Sequence, residues 1–188
     1  MFGKIDMLSK FRKFIYPINI VLDQIPLNSK ILDLGCGNGH IYNEIGEKNF
    51  ISYNGIDPKI KSLILNKKVK LIKKKVEDVL DEINEFDCIL MIDVMHHIDK
   101  KNQIKIFYEI TKNLKSKSIF IYKDISNDNF FFSFMNFMHD LVYNFQFINY
   151  FNINDILKIL QNDAGLSYSV FKKRVFWYDH QFVIIKRK

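Results

Sequence analysis

The run Ile31-Leu-Asp-Leu-Gly-Cys-Gly-Asn-Gly39 decides the fold. With Lys30 it opens as a short apolar strand, Lys30 to Leu34, then sets Gly35, Gly37 and Gly39 in the following turn before helical spacing from His40 to Glu47. Outward from it the pattern repeats. Ile51 to Ile56 is a strand ending at Asp57-Pro58, Lys59 to Leu65 has helical spacing, and Val69 to Ile72 is a third strand. Phe86 to Ile92, uncharged between Asp87 and Asp93, reads as a fourth strand covered on both faces. Ile104 to Leu114 is a helix before a fifth strand, Ser118 to Tyr122. Such alternation predicts βαβ crossovers, hence an α/β fold with a doubly wound, mostly parallel sheet. Near the end, Asn154 to Asn162 is a helix stopped by Gly165, and Ser167 to Val175 and Phe182 to Lys186 are strands with no helix between them. An antiparallel hairpin at the sheet edge follows.

With 188 residues and 48% hydrophobic content, the chain can bury one proper core and is too short for two ordinary domains, so residues 1–188 are expected to form one. The net charge of +7 includes six lysines between Lys67 and Lys75. They fit either a solvated face or a polyanionic partner, nucleic acid or an acidic membrane surface. Cys36 and Cys88 lack metal-ligand spacing and read as small interior residues of a reduced protein. No metal site and a cytoplasmic setting are therefore expected. The first residues interrupt their apolar positions with charge, offering no signal-peptide core, and no run of uncharged apolar residues is long enough to span a bilayer.

Two segments stand apart from the alternation. Residues 1–26 carry apolar residues at helical spacing with Lys and Arg opposite, interrupted by Pro17, which suits the first turn of a second short helix. Asn127 to Phe151 places Phe131, Phe134, Met138 and Phe145 on one helical face and Asn129, Asn136 and Asp140 on the other. That amphipathic pattern fits a core helix, a lid over an apolar acceptor or a contact with a membrane surface.

In an open α/β sheet, ligands bind beyond the carboxyl ends of the strands, and the first βα turn is the usual place. Glycines there let backbone approach a ligand without a Cβ in the way. Here the pattern is G-x-G-x-G with Asp33 two residues before it, and His40 stands where a dinucleotide fingerprint wants its third glycine. A pyrophosphate favours a bare helix N-terminus, whereas the ammonium and sulfonium of S-adenosylmethionine favour a nearby carboxylate, which Asp33 supplies. Asp57 falls 18 residues after Gly39, near the spacing at which an acid reaches ribose hydroxyls.

The strings ILDLGCGNG, YNGIDP and FDCILMIDVMHHI, with the fifth strand and closing hairpin, resemble the class I, Rossmann-like S-adenosylmethionine-dependent methyltransferases over nearly the whole chain. A nearer resemblance is to small stand-alone bacterial members, through Lys123-Asp124 and His139-Asp140-Leu141. The family resemblance implies that Asp33 and the loop of Gly35, Cys36, Gly37 and Gly39 hold the methionine moiety. It further implies Asp57 on the ribose, Ile56 and Pro58 against an adenine or ribose face, and Ile92 and Asp93 at the cofactor's amino group through backbone atoms. Where the family often carries an adenine-binding acid, this chain offers Lys75 or the pair Glu77 and Asp78; Val76, Glu77 and Asp78 are the favoured adenine neighbours.

Methyl transfer from a sulfonium is an in-line displacement in which the protein chiefly positions the reactants and excludes water. A hydroxyl acceptor gains from a group that takes its proton. Catalytic candidates are His97, Lys123, Asp124 and His139, with Asp140 and His180 as further ionisable neighbours. The Asn-Pro-Pro-Tyr and Asp-Pro-Pro-Tyr motifs of base-amino methyltransferases are missing from the sequence. The aromatic helix and basic amphipathic start point to a small or lipid-linked apolar acceptor near a membrane. The rival readings are a transfer RNA methyltransferase and a catalytically silent, methyltransferase-like binding subunit.

Overall fold

The computed structural model describes residues 17–45, 50–126, 149–176 and 178–188. Its strands are β1 (Lys30–Leu34), β2 (Ser52–Ile56), β3 (Leu63–Asn66), β4 (Val69–Ile72), β5 (Cys88–Ile92), β6 (Ile119–Ile125), β7 (Leu166–Val175) and β8 (Tyr178–Arg187). The α-helices among the described residues are α1 (Ile18–Leu22), α2 (His40–Ile45), α3 (Lys100–Lys112) and α4 (Ile153–Gln161), with 3-10 segments at Val76–Glu85 and Met95–His97.

The strands form one sheet in the order β3-β4-β2-β1-β5-β6-β8-β7. The pairs β1·β2, β1·β5, β2·β4 and β5·β6 are parallel, while β8 runs antiparallel to β6 and β7. The mostly parallel Rossmann-like sheet and its closing hairpin are thus as the sequence predicted. The chain builds to one side of β1 and then crosses to β5 on the other. That reversal leaves a crevice beyond the carboxyl ends of β1 and β5.

Alternation along the central strands serves two cores. Leu32 and Leu34 of β1, Ile89 and Met91 of β5, and Phe120 and Tyr122 of β6 join the layer under α3, α4 and Val76–Glu85. Ile31, Cys88, Leu90 and Ile121 join the opposite layer under α1 and α2. Because both faces are covered, β5 and β6 are buried throughout. Each fully buried aliphatic side chain contributes about 1.5–3 kcal/mol relative to an exposed one.

One expected element is replaced. Lys59 to Leu65 does not form a helix; Leu63–Asn66 is instead an edge strand antiparallel to β4, with Leu63 opposite Leu71. Asn66 turns the chain, its Oδ1 accepting the Lys68 N–H at 2.8 Å, so a local side-chain turn and a sheet edge prevail over helical spacing. The Asn127 to Phe151 helix, apart from 149–151, and residues 1–16 fall outside the described residues; α1 does begin directly after Pro17. Among the described residues no helix is long and apolar enough to cross a membrane.

Candidate functional site

Three backbone segments build the floor of the crevice. The N–H groups of Gly35 and Cys36 both donate to the Ile56 carbonyl, at 2.8 and 3.0 Å, which lashes the glycine turn to the end of β2. Asp57, the next residue, accepts the Gly37 N–H at 3.1 Å and the Lys59 N–H at 2.7 Å. Its two oxygens therefore fix the turn and the loop after β2, and each keeps lone-pair capacity for a ligand hydroxyl.

Glycine is needed here for two different reasons. A Cβ on Gly37, whose φ is +51°, would meet nothing within 4 Å, so it would project into open space. A Cβ on Gly55 would stand 2.7 Å from Cys36 Sγ and 2.8 Å from Leu71 Cδ2, so Gly55 is what allows the turn to pack on β2. Nothing in the sequence reading singled out Gly55.

Asp33 sits behind this turn. It is buried, and the Tyr53 hydroxyl donates to it. Burial pushes its carboxyl up, the Tyr53 bond opposes this and the negative charge of Asp57 adds to it, leaving a pKa of about 7. Burial and the Asp33 charge in turn hold the Tyr53 phenol well above its ordinary value, so it remains a donor. Cys36 is also pushed up, chiefly by burial, and is an unreactive thiol.

A cleft of about 470 Å³ opens from this floor. Of the predicted site residues it is lined by Gly35, Asp57, Pro58, Val76, Glu77, Asp93 and His97, and it adds Lys59, Lys75, Val94, Ile98, Asp99 and Asn102. Asp33, Cys36, Ile56, Ile92, Lys123 and Asp124 lie buried behind that lining. Asp78 accepts the Lys75 N–H at 2.9 Å and closes the start of the 3-10 segment. The Asp93 N–H donates to the Lys123 carbonyl at 2.8 Å, so that amide is occupied within the protein. His139 falls outside the described residues.

The far wall carries the catalytic candidates. Parallel pairing of β5 with β6 puts Ile92 opposite Lys123, and the residues just beyond converge. Lys123 Nζ stands 2.6 and 2.5 Å from the two oxygens of Asp93. His96 Nδ1 lies 2.5 Å from Asp124 Oδ1, and the His96 N–H donates to Asp124 Oδ2 at 3.1 Å. Burial alone would raise the Asp124 carboxyl; the His96 imidazole, the Ile125 N–H and the Lys123 ammonium outweigh it and hold the group below the usual carboxylate range. Ligand atoms of Asp93, His96 and Asp124 lie within 4.8 Å of one another, as a cation site would require. The Lys123 ammonium already supplies a positive charge there, which disfavours a metal ion.

Around this pair the turn Met95–His97 is rigidly held. Gln103, buried on α3, donates to the Met95 carbonyl at 2.9 Å and the Asn149 carbonyl at 2.5 Å, while the Asn149 N–H donates to the His96 carbonyl at 2.9 Å. His96 thus anchors the turn and His97, its ring centroid 4.0 Å from that of His96, is exposed on the cleft wall. The sequence candidates here were His97 and Asp124; the anchoring roles of His96 and Gln103 depend on contacts 28 and 46 residues distant.

A family model described as a methyltransferase domain matches residues 9–168. The chain belongs to that methyltransferase family. Within the matched residues lie the G-x-G-x-G turn and the greater part of the Rossmann-like sheet. No curated protein sequence matches it. Among solved structures it is similar to an O-methyltransferase family protein from Burkholderia thailandensis, with TM-score 0.65, 14% identity, and 97% of this chain aligned over 58% of that one. It is also similar to magnesium protoporphyrin IX methyltransferase from Synechocystis with bound SAH, with TM-score 0.66, 13% identity, and 100% and 88% coverage. A third is the 1,6-didemethyltoxoflavin-N1-methyltransferase of Burkholderia thailandensis with its acceptor and S-adenosylhomocysteine, with TM-score 0.64, 14% identity, and 96% and 81% coverage. At these identities the likeness is one of fold. The chain spans little more than half of the first of these proteins.

Proposed function

We propose that this methyltransferase transfers the methyl group of S-adenosylmethionine to a hydroxyl of a small or lipid-linked apolar acceptor. The observation that carries the reading is the continuity of the cleft, which joins the glycine turn and Asp57 on one side to His97 on the other. Asp57 would accept from the ribose hydroxyls, Val76 and Glu77 would flank the adenine, and the backbone around Gly35 and Gly37 would take the methionine end. Asp33 acts from behind the turn, its charge favouring a cationic ligand. The cofactor, when bound, supplies a methyl group already activated on a sulfonium.

The chain's own residues then align the acceptor, exclude water and hold its proton. His97 is exposed on the far wall, and as a neutral imidazole it can take the proton released when the acceptor oxygen bonds to the methyl carbon. Val94 and Ile98 beside it supply apolar contact. The O-methyltransferase family protein, 14% identical, supports an oxygen acceptor, and the acceptor bound to the N1-methyltransferase, which methylates nitrogen, supports only its small size.

Tritium transfer from labelled S-adenosylmethionine into lipid, small-molecule and RNA fractions tests the reading. Label is expected in an apolar, hydroxyl-bearing product. His97→Gln should slow transfer about 10²-fold or more with cofactor affinity kept. Label recovered in RNA, or transfer indifferent to His97→Gln, would overturn it.

A further inference from the structure

We propose that the hairpin of β3 and β4 is a docking surface for an anionic lipid bilayer. Between Pro58 and Val76 the chain carries eight lysines and no acidic residue. The hairpin places most of them outward: Lys67 and Lys68 form its tip and Lys70 faces out from β4, while Lys74 is paired with Glu82 at 2.8 Å. In the same hairpin Leu63, Ile64 and Leu65 are exposed by 51%, 70% and 45%. They are consecutive, so side chains emerge on both faces of the sheet edge.

Lysines by themselves are an ordinary guard against pairing of an open sheet edge. Three exposed aliphatic residues between them are not, because they restore the stickiness that such a guard removes. Together the two features match a surface that offers phosphate charge at one depth and hydrocarbon just below it. Nucleic acid offers the charge but asks for stacking partners, and the segment from Pro58 to Val76 has no aromatic residue. The basic strip is also continuous with the catalytic cleft, whose lining includes Lys59 and Lys75 at its two ends. Docking through the hairpin would therefore bring the cleft mouth to the bilayer surface. This goes beyond the acceptor reading and does not depend on it, since vesicle binding needs neither cofactor nor methyl transfer.

Vesicle flotation with the full chain tests the proposal, using phosphatidylglycerol-containing vesicles against pure phosphatidylcholine at low and physiological ionic strength. Wild type should bind the anionic vesicles and not the neutral ones. Replacing Lys67, Lys68 and Lys70 with Gln should weaken binding by more than about tenfold. Replacing Leu63, Ile64 and Leu65 with Ser should also weaken it severalfold, including at physiological salt where charge alone is screened. Calorimetric binding of S-adenosylhomocysteine by both variants confirms that they fold. Failure of wild type to float with anionic vesicles would overturn the proposal, as would binding unchanged in both variants. Transfer RNA bound more tightly than vesicles, with loss only in the lysine variant, would assign the surface to nucleic acid instead.

Discussion

Asp33→Asn should make the protein more stable and a poorer cofactor binder. In the fold its carboxyl is raised from an ordinary 3.8 to about 7, first by burial. A raised acid favours the protonated form of the folded state, so its ionisation costs stability progressively between about pH 4 and pH 7 and fully above. At 1.36 kcal/mol for each tenfold change, the full penalty is about 4 kcal/mol. Asn keeps the shape and can still accept from Tyr53, but its amide protons enter a buried site, at about 1–3 kcal/mol if unsatisfied. The net expectation at about pH 8 is a gain of roughly 1–3 kcal/mol, falling to zero or reversing near pH 5, where the native carboxyl is protonated. Urea unfolding of both proteins across this range reads the difference directly. A difference that stays constant from about pH 5 to 8 would refute the reasoning, because it would mean that Asp33 titrates as an ordinary acid. Cofactor binding supplies the other half. Affinity of wild type for S-adenosylmethionine should rise as pH passes through about 7, and Asp33→Asn should abolish that dependence.

Three further substitutions probe the turn. Gly37→Val should eliminate cofactor binding while costing stability only about 1–2 kcal/mol from its left-handed backbone; calorimetry showing normal affinity would displace the turn from the site. Asp57→Ala should weaken binding by about 1.5–3 kcal/mol, and an unchanged dissociation constant would move the ribose contact elsewhere. Gly55→Ala should destabilise the fold by about 1–3 kcal/mol, since Cys36 and Leu71 leave no room for its Cβ; a thermal midpoint equal to that of wild type would contradict the packing described.

The central sheet was legible because buried parallel strands declare themselves as uncharged runs, as in Cys88–Ile92, and because glycines and acids mark their carboxyl ends. The β3 strand was not. Ile60, Leu63 and Ile64 stand at helical spacing, and only the pairing of Leu63 with Leu71 across the Asn66 turn makes that segment extended. At the site, the order of strand, acid, glycines and second acid located the cleft, and Gly35, Asp57, Val76, Glu77, Asp93 and His97 do meet there. Depth was invisible: alternation alone did not reveal that Asp33 faces the α1 and α2 layer, diagonal to Tyr53, and away from the cleft. The same holds for His96, whose partner Asp124 is brought to it by the register of β5 on β6. Contacts of that kind belong to the sheet as a whole, and no local window of sequence carries them.

The most direct test of the account is a crystal structure with S-adenosylhomocysteine. It should show the ribose hydroxyls against the Asp57 carboxylate, the adenine beside Val76 and Glu77, and the sulfur directed toward the wall that carries His97. A ligand bound away from the glycine turn, or seated there with no contact to Asp57 and its sulfur turned from His97, would contradict it.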